Sequence, residues 1–332
     1  MYEKFYNFTG MPFQLTPDSR FFYGSKGHTR AISHLIYGLS QGEGFVIVTG
    51  EVGAGKTTLV ERLWSELDRD TYTLARINTT QVSGDDLFRL TMSAFGIDTV
   101  DADRATLLRA FSDLLAEHRA SNRHCLLVVD EAQNLPLAAL EELRMLSNLT
   151  EDGRASLQTI LLGQPQFRRK LASPDLDQLR QRVLASYHLG PLDADETRAY
   201  IEHRLTAVGW HGNPTLTGAA FAAVFRHTGG IPRRINRLCS RVLLYAALEE
   251  ADTIGAPMVD STAQELHDDI EGAADAAEPG SRIVTAPAGE LNGRAYAELL
   301  IRVQALEDAV ARRERVFQRL MDVFGGYSQP RG

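Results

Sequence analysis

The run Gly50-Glu51-Val52-Gly53-Ala54-Gly55-Lys56-Thr57 fits the pattern G-x-x-x-x-G-K-[ST], whose chemistry is the holding of a polyphosphate. Its glycines let backbone N–H groups turn inward around phosphate oxygens. A helix start placed directly behind the loop favours negative charge. Thr58–Leu67 has helical spacing and Phe45–Thr49 reads as a strand, so the loop sits in the strand–loop–helix context that the pattern requires. In this setting Lys56 is expected to reach the β- and γ-phosphates, and the Thr57 hydroxyl to ligate Mg²⁺.

A second run supplies the groups that phosphoryl chemistry needs. Leu126-Leu127-Val128-Val129 is an apolar strand that ends in Asp130-Glu131. Asp130 is expected near the Mg²⁺, usually through water, and Glu131 beside it to polarise the attacking water. One predicted strand lies between the two motifs. That spacing and the paired acids point to the ATPase branch of P-loop proteins rather than to kinases or small GTPases. No Asn-Lys-x-Asp run that would read guanine occurs, so ATP with Mg²⁺ is the expected ligand pair.

The elements that position these groups alternate. Short β-rich runs at Gly44–Thr49, Thr71–Asn78, Cys125–Asp130, Leu157–Gly163 and Ala185–Leu192 read as buried strands. Helical spacing appears at Thr57–Leu67, Gly84–Ala94, Arg104–Arg119 and Ala138–Leu149. This predicts an α/β domain over 41–192, a three-layer α/β/α parallel sheet with helices on both faces. From Asp193 only helical signals follow: Asp193–Val208, Leu216–His227, Pro232–Glu249 and Met258–Ile270, the first opened by a capping box of Asp193 and Glu196. Residues 193–270 therefore read as a small all-helical lid. Residues 271–292 are rich in Ala, Gly, Pro and acids and read as a flexible linker. Over 293–324, Tyr296, Leu299, Val303, Leu306, Val310, Phe317, Leu320 and Phe324 recur at spacings of three and four, broken by Arg313. This is the seam of a coiled-coil-like amphipathic helix, for self-association, for a partner, or for packing back on the chain.

At 332 residues the chain has room for two or three domains, and 44% apolar with 23% charged residues suits a soluble globular protein. A net charge of −8 argues against a surface built throughout to grip nucleic acid. Cys125 and Cys239 match no metal or redox spacing and sit in apolar runs, as buried free thiols do in a reducing compartment. No leader segment and no apolar run of about 18 residues appears, so the expectation is a cytoplasmic protein that meets the inner face of the membrane only through a partner.

Several runs together resemble one family. Met11-Pro12-Phe13, Thr16-Pro17-Asp18 and Phe22-Tyr23 within residues 2–38 are similar to the N-terminal segment of the AAA+ secretion ATPases known as general secretion pathway protein A or ExeA-like. Asp130-Glu131-Ala132-Gln133-Asn134-Leu135, Leu162-Gly163-Gln164-Pro165 and Gly229-Gly230-Ile231-Pro232-Arg233-Arg234-Ile235-Asn236 match it as well. The likeness covers about residues 1–270 and is nearest to the subgroup encoded with exosortase/PEP-CTERM exopolysaccharide loci. TniB-type transposition ATPases are more distant.

The resemblance implies an AAA+ ATPase, working as a homo-oligomer, that serves envelope export or exopolysaccharide-system proteins. Residues 1–40 would pack on the ATPase core. Gln164 would be the first sensor, a polar group between the two acids and the γ-phosphate, and Arg233 the second, reaching in from the lid. Arg182, with Arg180 as competitor, would be the finger that completes a neighbour's site. Larger members of the family carry a membrane span and a wall-binding domain after the ATPase. Here a linker and heptad seam follow instead, so direct handling of peptidoglycan is not expected.

Two further readings stand beside this one. An ATP-gated DNA adaptor would use Arg233, Arg234, Arg237 and Arg241, which recur along one helix, with the cluster Arg312, Arg313, Arg315 and Arg319. A slow ATP-dependent switch would need little turnover, which the intact Glu131 opposes.

Overall fold

The structure, a computed structural model, describes residues 2–275 apart from 17, 79–81, 152–153 and 156. Five strands form its central sheet: β1 (Phe45–Gly50), β2 (Tyr72–Asn78), β3 (His124–Asp130), β4 (Leu157–Gly163) and β5 (Val183–Leu189). All pair in parallel, in the order β2-β3-β4-β1-β5. The inner strands β1, β3 and β4 read as near-continuous apolar runs because both faces are covered, whereas the edge strands β2 and β5 are partly exposed and mix in polar residues. Phe45, Ile47, Leu127 and Val129 point to one side, where they meet Leu87, Phe111 and Leu143. Val46, Val48, Leu126 and Val128 point to the other, against Leu35, Leu59 and Leu63. Each such side chain contributes about 1.5–3 kcal/mol by leaving water.

The helices that cover the sheet are α1 (Lys26–Ser40), α2 (Lys56–Glu66), α3 (Gly84–Ala94), α4 (Arg104–Ala120), α5 (Leu137–Leu146) and α6 (Pro165–Leu171). The last strand ends three residues earlier than the sequence suggests, at Leu189 rather than Leu192. Pro191 has no N–H to give a ladder, so pairing stops before it.

Beyond Asp193 lie α7 (Ala194–Thr206), α8 (Gly218–Thr228), α9 (Pro232–Leu248) and α10 (Ala256–Asp275). The expected capping box is present at α7, with Glu196 N–H donating to Asp193 Oδ1 at 2.8 Å and Asp193 N–H returning to Glu196 Oε2 at 3.3 Å. Gly230 turns the chain between α8 and α9 (φ 72°), and a Cβ there would lie 2.0 Å from the Leu192 carbonyl.

Three expectations need correction. The lid is not purely helical, because Thr215–Leu216 and Thr253–Ile254, the extended segments leading into α8 and α10, pair in parallel. The N-terminal segment packs on the core only in its second part. Its helix α1 buries Leu35 on the sheet, and the Gly38 carbonyl accepts from Gln158 Nε2 at 2.6 Å. Residues 2–14 pack on the lid instead. Tyr6 Oη donates to the Ala251 carbonyl at 2.9 Å, Thr9 N–H to that of Val208 at 2.9 Å, and Phe13 joins Leu205, Cys239 and Val242 in the lid's apolar interior. The buried aromatics Tyr2, Tyr6, Phe8 and Phe13 drive that docking. Finally, α10 runs to Asp275, past the expected lid end at 270. The remaining linker residues and the heptad seam over 293–324 lie outside the described residues.

Two compact units divide the chain: one of residues 1–247 and 251–264, the other of 248–250 and 265 onward, whose described part from 265 is the end of α10. Cys125 and Cys239 are buried and free, and desolvation pushes their thiols up to about 11 and about 12. Among the described residues no helix is long and apolar enough to cross a membrane.

Candidate nucleotide site

Residues 51–55 span from the end of β1 to the first turn of α2, and β3 ends two strands away at Asp130. Thr57 Oγ1 donates to Asp130 Oδ2 at 2.8 Å, and Glu131 N–H to Asp130 Oδ1 at 2.9 Å. A hydroxyl and a carboxylate converging at a helix start are hard oxygen donors that fit Mg²⁺. Among the described residues no group of three or more His, Cys, Asp or Glu could hold a metal ion.

Lys56 is buried, and its Nζ donates to the carbonyls of Gly50 at 2.9 Å and Glu51 at 3.1 Å. Burial lowers its pKa from the ordinary 10.5, against the opposing charges of Glu131, Asp130 and Glu51. Glu131 takes a left-handed backbone (φ 54°, ψ 37°), uncommon for its residue type. Its Oε2 accepts from Gln133 Nε2 at 2.5 Å and from Gln164 Nε2 at 3.1 Å. Gln164, just past β4, thus lies beside this acid.

The lid meets the loop directly. Arg233 N–H donates to the Gly53 carbonyl at 3.2 Å, and a Cβ on Gly53 (φ 81°) would lie 2.2 Å from Arg233 Cβ. Only glycine permits that approach. The Arg233 side chain is exposed and lines a cavity of about 340 Å³. Val52, Gly53, Gly55, Lys56, Thr57, Thr58 and Glu131 form one wall of that cavity. A second wall comes from residues 14–16, 18, 21–23 and 28, from Leu192, and from Tyr200, Arg204, Pro232, Arg233 and Asn236 of the lid.

The two finger candidates stand apart from this cavity. Arg182, half-buried, donates from Nη1 to the Ser147 carbonyl at 3.3 Å. Arg180, exposed, donates to the Leu171 carbonyl at 3.0 Å and pairs with Asp177.

Four side chains were not anticipated. Arg76 on β2 reaches Asp130 Oδ2 at 3.3 Å and Glu61 Oε1 at 3.5 Å. Gln133 bonds to Glu131, as above. His28 lines the cavity with Nδ1 2.8 Å from Ser25 Oγ, and burial lowers its pKa from the ordinary 6.5. Arg204, only 6% exposed, donates to the carbonyls of Pro12 at 2.6 Å and Gln14 at 3.3 Å and to Tyr200 Oη at 2.7 Å. Its guanidinium lies 4.6 Å from the Phe21 ring centroid. Carbonyls, a phenol and ring faces here satisfy a buried cation that makes no ion pair with a carboxylate among the described residues. Gln133, like Thr16, Asp18, Phe22 and Tyr23 in the cavity lining, lies within the family-like runs, which was a signal of place though not of role; a lone arginine in a strand or helix carries none.

The family model described as AAA domain matches residues 39–171. General secretion pathway protein A of Aeromonas hydrophila is 38% identical over 250 residues, which are 74% of this chain and 45% of that protein. The match thus spans under half of that relative's length. Among solved structures, the Pyrobaculum aerophilum Cdc6p protein aligns with a TM-score of 0.57 at 18% identity, covering 75% of this chain and 71% of that one. The Aeropyrum pernix ORC2 protein, in ADPNP-ADP complexes, gives 0.54 at 17%, covering 72% and 66%. The Thermotoga maritima RuvB Holliday junction branch migration motor gives 0.51 at 22%, covering 75% and 72%. The chain has the AAA P-loop NTPase fold, with a parallel α/β core.

Proposed function

We propose that this chain is an AAA+ ATPase of the ExeA-like secretion family, which binds ATP with Mg²⁺ between phosphate loop and lid and hydrolyses it. The observation that carries the reading is the Thr57–Asp130 bond at the foot of the glycine loop, with Glu131 held beside it. The 38% identity to a general secretion pathway protein supports a place in envelope secretion.

In this reading Lys56 exchanges the two loop carbonyls for β- and γ-phosphate oxygens. The loop's N–H groups, from Gly50 through Thr58 with Glu51, Val52 and Ala54 as spacers, cradle the same phosphates. Thr57 and Asp130 would hold Mg²⁺, which supplies neutralisation of phosphate charge when bound. Glu131 orients a water toward the γ-phosphorus and accepts its proton as the new P–O bond forms and the bond to ADP breaks. Gln164 senses the γ-phosphate beside Glu131, and Arg233 brings the lid's charge to it. Arg182 completes the site of a neighbouring copy, with Arg180 as the alternative. Residues 293–324 serve association. The cargo is the machinery of an envelope or exopolysaccharide export system of the exosortase/PEP-CTERM kind, met at the inner face of the membrane through a partner.

A mixing experiment tests the assembly. Arg182→Ala should bind ATP nearly normally yet lose about a thousandfold in turnover, because a trans arginine meets charge that develops only in the transition state. Mixing it with Lys56→Ala should restore part of the rate. No recovery, with subunit exchange demonstrated, contradicts catalysis in trans; the same behaviour in Arg180→Ala moves the role to that residue.

One observation favours a second reading, the DNA adaptor. Arg233, Arg234, Arg237 and Arg241 are exposed along α9, while Ile235, Leu238 and Val242 are buried. If this face holds duplex DNA, binding must weaken with salt, and removing one arginine must lower the salt slope by about one. The net charge of −8 opposes it.

A further inference from the structure

The turn after β3 and the segment after β4 are tied together at more points than a catalytic acid and one sensor require. Strands β3 and β4 are hydrogen-bonded neighbours, so their C-terminal ends lie side by side. Across that seam Gln164 N–H donates to Gln133 Oε1 at 2.9 Å, and Gln164 Nε2 donates to Glu131 Oε2 at 3.1 Å. Lys170 Nζ on α6 donates to the Gln133 carbonyl at 3.3 Å and also to that of Leu135.

The first of these bonds determines which way round the Gln133 amide sits. A backbone N–H can only donate, so the end of the amide facing Gln164 N–H must be the oxygen. The other end is then the NH₂ group, and it points at Glu131 Oε2, 2.5 Å away. Two amide donors therefore converge on one carboxylate oxygen. One hangs from the strand end that carries Gln164, and the other is locked to that same strand end through its own carbonyl.

We propose that Gln133 is a positioning residue for hydrolysis. It holds the Glu131 carboxylate by one oxygen and ties that oxygen to the end of β4, so that the water-orienting acid follows the segment that carries the sensor. The inference rests on the reading of Glu131 given above. Gln133 itself is half-buried and is absent from the cavity lining, so it acts on the reaction through Glu131.

The test uses the full chain with Gln133→Leu, Gln133→Glu and, as reference, Glu131→Gln. For each, the ATP dissociation constant, KM and kcat are measured, with folding checked by thermal denaturation. Gln133→Leu removes both the donor and the acceptor. Gln133→Glu keeps an acceptor for Gln164 N–H and, when ionised, cannot donate to a carboxylate. Turnover followed up to about pH 9, where a proton shared between the two carboxyls is lost, makes it carry the test even if the leucine variant fails to fold. Both should lose about tenfold or more in kcat while ATP affinity stays within about twofold, since a misplaced general base loses much of a contribution of about a hundredfold or more. If Gln133→Glu turns over like the parent, Gln133 merely caps Gln164 N–H and the proposal falls. It falls equally if both variants are unaffected, or if ATP affinity drops in step with kcat. Glu131→Gln that still hydrolyses ATP is a different failure, that of the catalytic assignment itself.

Discussion

The two walls of the cavity are built on opposite principles. The loop wall is local: apart from Glu131 at the end of β3, it is one stretch over residues 52–58, between a strand end and a helix start, of the kind whose backbone N–H groups cradle phosphates. The second wall is assembled from residues 14–16, 18, 21–23 and 28, Leu192, α7 and the start of α9, so that Gln14 and Arg204, 190 positions apart, must meet. Arg204 is the joint, since it bonds the carbonyls of both Pro12 and Gln14 and stacks on Phe21. A wall made of contiguous backbone tolerates little variation in its pattern. A wall made of distant side chains can be loosened without touching the phosphates.

Breaking that joint should separate the two walls. Arg204→Met leaves two carbonyls and a phenol short of a donor, at an expected cost on the order of 3 kcal/mol in stability. ATP affinity should drop about tenfold, equivalent to roughly 1.4 kcal/mol, while tripolyphosphate, which needs only the phosphate loop, keeps its affinity within about twofold. Calorimetric titration of both ligands checks this. An equal loss for the two would mean that the walls are not separable.

A gentler effect is expected at His28, where α1 faces the cavity. Its pKa lies below the ordinary 6.5 because burial disfavours the charged ring. On acidification the unfolded chain therefore takes up this proton first. The stability it contributes is whole above about pH 6.5 and declines as pH falls below that value toward the folded pKa. Denaturation midpoints of the parent and of His28→Asn at pH 7.5 and 5.5 should show the parent losing more. Equal losses would remove His28 from the account.

The same contrast explains what could be read from the sequence. The five strands and helices α2 to α5 were legible within a few residues, because the fully buried strands β1, β3 and β4 leave apolar runs and amphipathic helices leave a 3.6-residue period; α6, only seven residues long, was not read. Asp193 and Glu196 announced the lid for the same local reason, as an N-cap pair. Helix α1 was not identified. Its buried positions Ala31, Leu35 and Leu39 recur every four residues, but Gly27 and Gly38 dilute the helical signal. The docking of residues 2–14 on the lid, the ties of Arg76 and Gln133, and the role of Arg204 depend on pairings between distant segments. No local spacing encodes those. At the site, Lys56, Thr57, Asp130, Glu131, Gln164 and Arg233 gather around one cavity or its edge, while Arg182 and Arg180 do not.

The most direct measurement is ATP binding and steady-state hydrolysis, side by side, in the parent chain, Lys56→Ala and Glu131→Gln. In the proposed mechanism Lys56 offers charge to the phosphates, so its removal should abolish binding and turnover together. Glu131 there acts on water and not on the nucleotide, so Glu131→Gln should bind ATP about as tightly as the parent and lose about a hundredfold or more in turnover. Hydrolysis undiminished in Glu131→Gln, or ATP bound equally well by Lys56→Ala, would contradict the account.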